Sequence, residues 1–300
     1  NNVDSIQLFG KLVGFAIGES KATGDPTLFG VGLQGQPTVE LATVATDNSD
    51  FEGLALNPNG TFLFAIQRSG SKSQLWIIEN GDQDGDSTPY EVLRKIPLVN
   101  DTGDSGIIIK DATTAYAVID GNIYTLTSNG TDGDFANPQG TTTPTSASEF
   151  SINIGSAVAL DSDVGALGIA PDGMIYGIEQ SGTANNLRIV DPTDGSTTLV
   201  TNLTPIVTAF TGGSNPDLQG MSFDSTGQLW VMDRNSGDLF QIDLDAQEVV
   251  GSVTVPNELQ TGDGFENVAV GFPARDAGLD RGECVHMNVT ATFNGDFRDG

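Results

Sequence analysis

The stretch FEGLALNPNGTFLFAI at 51–66 sets out a pattern that the rest of the chain repeats. A short apolar run containing a glycine comes first, then a polar turn, then a second run rich in strand-forming residues. The same arrangement returns in ALGIAPDGMIYGIE from 166 and in LQGMSFDSTGQLWVMD from 218. Short strands that recur every roughly 40–60 residues indicate a β-propeller or another repeat array.

Six short segments share the first run of this pattern. They are LVGFAI at 12–17, FEGLAL at 51–56, DSGIII at 104–109, ALGIA at 166–170, LQGMSF at 218–223 and FENVAV at 265–270, where Asn267 replaces the glycine. The innermost strands of a propeller crowd the central axis, so small residues there permit close approach. The pattern predicts one all-β propeller domain over residues 1–300. Its blades should have four antiparallel strands, with six blades preferred and five or seven as alternatives.

The two ends of the chain are the irregular part of this pattern. The last blade, with FENVAVGF and CVHMNVTATF, is short of strands, whereas VDSIQLFGK at 3–11 alternates polar and apolar residues. We expect the N-terminal strand, within residues 1–11, to complete the last blade and close the ring. The alternative is insertion into a neighbouring molecule, which would give a head-to-tail filament. The polar composition of residues 128–149, rich in glycine, threonine and proline, indicates a loop excursion. No apolar pattern of helical period persists, so no substantial helix is expected.

The charge balance limits the partners of the chain. Forty acidic residues against 12 basic ones give a net charge of −28, which disfavours nucleic acid and anionic membrane surfaces. No apolar run approaches twenty residues, so no membrane span is expected. The chain starts at Asn1 without an initiator Met, which predicts a processed, secreted protein, extracellular or at the cell surface. The acidity suits a saline or alkaline environment, calcium binding or simple solubility.

The sharpest local motif is NGDQDGDSTPYE at 80–91, which matches a twelve-residue calcium loop. Calcium prefers several converging oxygen ligands, and a glycine at the sixth position lets such a loop wrap around the ion. The glycine here is Gly85, and the other interpretation is an acidic hairpin tip. The candidate calcium ligands are Asn80, Asp82, Asp84, Asp86 and Glu91.

A second group of acids lies at the starts of the predicted inner strands. In a propeller these connections gather around one mouth of the central channel. A ring of carboxylates there would hold a cation or raise the pKa values of its members by mutual repulsion. Alternatively, these are exposed loop acids kept apart by water. The channel-mouth acids are Asp50, Glu52, Asp104, Asp163, Asp217, Asp263 and Glu266.

The repeated segments resemble blades of the NHL, gluconolactonase-like and esterase-like-phytase propellers. In the gluconolactonase-like group, a glutamate before the inner-strand glycine ligates a catalytic calcium. The resemblance implies this role for Glu52, with Glu266 as a second candidate, although Leu54 stands where that group usually has proline.

The sequence contains no complete catalytic set, which favours a non-catalytic binding or self-assembly module stabilised by calcium. Its ligand would be a protein or a carbohydrate. The alternative is a calcium-dependent lactonase or esterase-like hydrolase, with Glu52, Asp217 and Glu266 near the metal at the channel mouth.

Overall fold

A computed structural model describes residues 12–46, 50–81, 83, 88–100, 103–129, 133–138, 150–181, 184–213, 215–255, 260–261, 265 and 267–271. These residues form five antiparallel sheets, which are the blades of a β-propeller. In blades 2 to 5, strands that are neighbours in sequence also pair with each other, so the strands follow one another outward from the central axis.

The strand bounds of the five blades follow in chain order. Blade 1 begins with β1 (Val13–Ser20), β2 (Pro26–Gly32) and β3 (Val39–Thr43). Blade 2 contains β4 (Asp50–Leu56), β5 (Phe62–Ser69), β6 (Lys72–Glu79) and β7 (Val92–Asn100). Blade 3 contains β8 (Ser105–Ile109), β9 (Thr114–Ile119) and β10 (Asn122–Ser128), with β11 (Ile152–Ile154) and β12 (Val158–Ala159) both paired to β10. Blade 4 contains β13 (Val164–Ile169), β14 (Ile175–Ser181), β15 (Ala184–Val190) and β16 (Thr197–Asn202). Blade 5 contains β17 (Leu218–Phe223), β18 (Leu229–Asp233), β19 (Asp238–Asp243) and β20 (Glu248–Thr254). The last two strands, β21 (Gln260–Thr261) and β22 (Ala269–Gly271), pair with β1 and so belong to blade 1.

The preference for six blades is wrong, and the alternative of five is correct. Two of the six repeated segments belong to the same blade, because Val13–Ile17 of LVGFAI lie in β1 and Ala269 and Val270 of FENVAV lie in the inner strand β22 beside it. Gly14 of β1 lies opposite Val270, and Phe15 lies opposite Ala269. The other edge of β1 pairs with β2 along most of its length, so β1 is the second strand of blade 1.

Two strands late in the chain, β21 and β22, close the ring by pairing with β1 near its start. β21 and β22 both pair with β1, so residues far apart in sequence complete one blade and cover an otherwise open sheet edge. The predicted closing strand at 3–11 lies outside the described residues, as does the CVHMNVTATF segment. Closure by the N-terminal strand therefore stays a prediction.

Asn267 takes the place of the inner-strand glycine in blade 1 and joins three strands. Its Oδ1 accepts a hydrogen bond from the Ile17 backbone N–H at 2.9 Å, and its Nδ2 donates to the Ile17 carbonyl at 3.2 Å. The same Nδ2 donates to the carbonyl of Phe51 in blade 2 at 2.5 Å. The side chain is 1% exposed, so these contacts form away from water. One amide therefore connects the closing strand to both of its neighbours.

The inner strands approach one another at backbone distance, as the glycines predicted. A Cβ atom on Gly53 would lie 3.1 Å from the Cα of Gly106, and one on Gly106 would lie 2.5 Å from the carbonyl oxygen of Gly165. In blade 4 the matching position is Ala166, which pairs with Ile178. The sequence pattern of ALGIA predicts Gly168 at this position, and the structure has Ala166 there, two residues earlier.

An apolar cluster fills the seam between each pair of neighbouring blades. At the seam of blades 1 and 2, for example, the rings of Phe51 and Trp76 meet edge to face at 5.1 Å. The seam of blades 2 and 3 includes Phe135, which is 0% exposed and contacts Phe64 and Phe150. Phe135 belongs to the predicted polar excursion, so at least the described residues 133–138 pack against the core. Burying such rings is a large part of what holds neighbouring blades together.

A helix that the sequence analysis did not predict follows β16. Helix α1 (Leu203–Thr211) begins where Asn202 accepts a hydrogen bond from the Thr204 N–H and ends at Gly212 in the left-handed conformation, with φ 80°. With nine residues, which make about two and a half turns, it is too short to show a sustained helical period in the sequence. No helix among the described residues is both long and apolar enough to cross a membrane.

We predict that replacing Asn267 with alanine destabilises the ring. The change leaves two groups of Ile17 and the carbonyl of Phe51 without their buried partner. At about 1 kcal/mol for each hydrogen bond, the free energy of unfolding should fall by about 3 kcal/mol. Urea unfolding measures the loss. The control is Asn59→Ala, because Asn59 is exposed and its change should stay within about 0.5 kcal/mol. Equal stability of the two variants would contradict this role of Asn267.

Candidate functional site

Two mouths of different chemistry lie at opposite ends of the central channel. The inner strands begin at one end, here called the upper mouth, and finish at the other, the lower mouth. Between them, backbone and small residues leave a central space of only about 10 Å³, which is about the room one water molecule needs. This constriction, the glycine level, is lined by Gly53, Gly106, Ala166, Gly220 and Asn267.

Arg68 organises the part of the upper mouth that includes Glu52. Its Nη1 lies 2.7 Å from Oε1 of Glu52, and its Nη2 donates to Oδ2 of Asp50 at 2.8 Å. Nη1 also donates to the carbonyl of Gly103 at 3.1 Å, while the Ser105 hydroxyl donates to Oε2 of Glu52 at 2.9 Å. Glu52 is 6% exposed, so its charge is balanced inside the protein. The group ties blade 2 to blade 3.

Sequence reasoning identified Glu52 but missed its partner Arg68. The signal was present, because Arg68 lies at the end of the second strand of blade 2, directly opposite Asp50 in the β4–β5 ladder. Counting back from the turn at 57–61 would have placed Arg68 opposite Phe51, one residue from Asp50, because the bulge between Phe51 and Gly53 shifts the register. Opposite charges across an antiparallel pair are a known source of sheet stability. A calcium ion at Glu52 would have to share this carboxylate with Arg68 and Ser105.

Asp217, directly before the inner strand of blade 5, occupies the position that Asp50 occupies in blade 2. Hydrogen bonds to β18, the turn after it and Gln219 fix its place. Its backbone N–H donates to Oδ1 of Asp233 at 2.9 Å, and its carbonyl accepts from the Arg234 N–H at 2.8 Å. Its Oδ1 accepts from Nε2 of Gln219 at 3.1 Å. This acid therefore shapes the entry to β17.

The surroundings of Asp104, an acid at the upper mouth, raise its pKa. Partial burial within the mouth raises its pKa above the ordinary 3.8, and the nearby charges of Asp163 and Asp217 raise it further. Arg68 and Arg234 oppose this shift. The side chain still reaches solvent, so water screens the repulsion in part. Asp104 therefore lies close enough to Asp163 and Asp217 for their charges to act on it.

The remaining predicted site residues fall into two groups. Asp263 and Glu266 of the channel mouth lie outside the described residues, as do Asp82, Asp84 and Asp86 of the candidate calcium loop. Asn80 is buried and donates to the Gly60 carbonyl at 2.7 Å. The carbonyl of Glu91 accepts from the Glu79 N–H at 2.9 Å, which joins the two ends of the loop. Within the part of the chain that the structure describes, no three His, Cys, Asp or Glu side chains gather closely enough to hold a metal ion.

The lower mouth is a site that the sequence analysis did not identify. A funnel of about 640 Å³ opens there and narrows inward to a shaft of about 90 Å³ that ends at the glycine level. The signal was present in the repeats, whose inner strands all finish on apolar residues. The residues that line both the funnel and the shaft are Leu56, Ile109, Ile169, Phe223 and Val270.

These five sheets and their shared channel define a five-bladed β-propeller, the class that the blade resemblance implied. No family model matches the chain, and no curated protein matches it in sequence.

Solved structures with similar folds include a nidogen/laminin complex, at 12% identity and TM-score 0.42, covering 87% of this chain and 86% of that one. A putative 6-phosphogluconolactonase from Bacteroides fragilis aligns at 12% identity and TM-score 0.40, covering 87% and 98%. A functionally unknown protein from Desulfotomaculum acetoxidans aligns at 14% identity and TM-score 0.41, covering 88% and 90%. These similarities concern the fold alone.

We predict that Asp104→Asn stabilises the protein at neutral pH. Because its folded pKa is raised above 3.8, ionised Asp104 opposes folding, and this cost grows as the pH rises from 3.8 through the folded pKa. The gain should therefore vanish below about pH 3.8. Urea unfolding between pH 3 and 7 measures it.

The control for this prediction is Asp111→Asn, for which the expected sign is opposite. The Thr113 backbone N–H is the main cause that lowers the pKa of Asp111, so its ionised form stabilises the fold. That stability is present above the ordinary pKa and is lost as the pH falls through the folded pKa. A gain for Asp104→Asn that does not depend on pH would contradict the assignment.

Proposed function

We propose that this chain is a secreted, non-catalytic β-propeller that acts as a binding or self-assembly module outside the cell and is stabilised by calcium. The observation that carries the proposal is the engagement of Glu52 by Arg68 and Ser105. A buried carboxylate whose two oxygens meet a guanidinium and a hydroxyl supports a role in holding blades together. A hydrolase of the gluconolactonase-like kind would need the same carboxylate on a metal.

The charge of the chain supports the location and the partner class. A net charge of −28 with 12 basic residues keeps a protein dispersed in saline water and repels nucleic acid. We therefore place the protein at the cell surface or in the medium, where its ligand is a protein or a carbohydrate. Exchange of the N-terminal strand between copies is the form of self-assembly that the sequence pattern favours.

Assays of the full chain against a panel of lactones and esters test the absence of catalysis. With calcium present, we expect no turnover that EDTA removes. Glu52→Gln should lower stability because Arg68 loses the buried one of its two carboxylate partners, with no effect on any residual rate. Glu179→Gln is the matched control, since Glu179 also pairs with an arginine, Arg188 at 2.7 Å, in blade 4. Turnover that disappears both in EDTA and in a folded Glu52→Gln variant would overturn the proposal in favour of a hydrolase.

Sedimentation of the same preparation tests the assembly part of the proposal. If strands exchange between molecules, the full chain forms species larger than a monomer, and a chain without residues 1–11 sediments as a monomer. Assembly that is unchanged by the deletion would reject strand exchange.

Thermal unfolding tests the calcium part of the proposal. Saturating calcium should raise the unfolding temperature by about 5 °C at a hundredfold excess over the Kd, since a ligand that binds only the folded state stabilises it. The double variant Asp84→Asn, Asp86→Asn should lose this rise, because the loop would lose two charged oxygen ligands. Asp245→Asn, in an exposed hairpin of blade 5, is the control and should keep it. A rise that the double variant retains would place the calcium elsewhere.

A further inference from the structure

The lower mouth has the shape of a tube that is open at one end. The funnel of about 640 Å³ leads inward to the shaft of about 90 Å³, and the shaft stops at the glycine level. Leu56, Ile109, Ile169, Phe223 and Val270, one from each blade, surround the junction between funnel and shaft. A molecule entering from this side would meet apolar side chains on every side of the axis.

The side chains that line the shaft are almost all apolar. Among the residues that line it, Ser222 has the one polar side chain, and its hydroxyl accepts a hydrogen bond from the Val270 N–H at 3.0 Å. Polar atoms nevertheless make up more of the exposed surface of the shaft than apolar atoms do, whereas apolar atoms predominate in the funnel. The junction and the funnel are therefore the parts of the lower mouth that are suited to methylene groups.

The rim of the funnel carries one exposed charge, on Lys110, whose ammonium also acts on the Asp111 carboxylate and lies 5.8 Å from the centre of the Tyr116 ring. Of the described residues that line the funnel, the two charged ones are Lys110 and Asp224. Asp224 is buried, and its carboxylate accepts hydrogen bonds from the Thr226 N–H, the Gln228 N–H and the indole of Trp230. Lys110 is exposed and directly follows Ile109 at the end of the inner strand of blade 3. A cation therefore stands beside the apolar opening of the shaft.

We propose that the lower mouth binds a linear alkyl chain that ends in a carboxylate. The end of the chain occupies the junction, its remaining methylenes lie against the funnel, and the carboxylate pairs with Lys110. The surrounding negative charge repels small anions in general, so the apolar contacts supply the affinity and Lys110 selects the head group. This inference does not depend on the proposed function, because the glycine level separates the lower mouth from Glu52 and Arg68.

Calorimetric titration of the full chain with straight-chain carboxylates, from butanoate to dodecanoate below their micelle concentrations, tests the proposal. We expect one binding site and an affinity that rises by up to about fourfold for each added methylene until the junction and funnel are filled. Lys110→Gln should weaken decanoate binding by about threefold to fivefold and leave decanol binding unchanged. Ile169→Trp, which fills the junction, should abolish binding of both.

The control is Lys72→Gln, because Lys72 is exposed at the end of blade 2 that faces the upper mouth, and decanoate affinity should not change. Should Ile169→Trp fail to fold, the chain-length series and Lys110→Gln decide the question. The proposal is overturned if the full chain binds no carboxylate, if affinity does not depend on chain length, or if Lys110→Gln binds decanoate as tightly as the unaltered protein.

Discussion

The close approach of five inner strands around one axis is the constraint on which the rest of this structure depends. A Cβ atom at Gly106 would lie 2.5 Å from the carbonyl oxygen of Gly165, and one at Gly220 would lie 2.8 Å from the carbonyl carbon of Asn267. Side chains at these positions would push the blades apart and open the seams that bury the aromatic rings. Because the constriction is made of backbone, it also divides the channel into two separate mouths.

Ring closure relies on a polar side chain at a position where other blades use glycine or alanine. Asn267 satisfies both backbone groups of Ile17 and reaches the next blade through Phe51. The chain has one cysteine, Cys284, so no disulfide within it can close the ring. Strand pairing by β21 and β22, reinforced by this amide, covers the sheet edge that blade 1 would otherwise expose.

Some of the acidic residues have a structural role. Composition alone cannot distinguish them from acids that serve solubility or calcium binding. Asp111, Asp224 and Asp233 each accept hydrogen bonds from backbone N–H groups of the turns that follow them. Aspartate is favoured in such turns because its carboxylate replaces a backbone acceptor. At the upper mouth, Arg68 offsets two further acids. The lower mouth differs from the upper one. Among its described lining residues the one acid is Asp224, and its side chain is buried.

The sequence by itself determined the blade pattern: inner strand, turn and second strand in blades 2, 4 and 5, and the small residues that mark the axis. These features are local, since strand propensity and turn chemistry act over a few residues. Only the tertiary structure decided that LVGFAI and FENVAV share one blade, that Arg68 neutralises Glu52, and that Phe135 is buried. Each of these depends on which distant strands become neighbours. A period-two pattern specifies the faces of a strand, but it does not specify the partner at its edge.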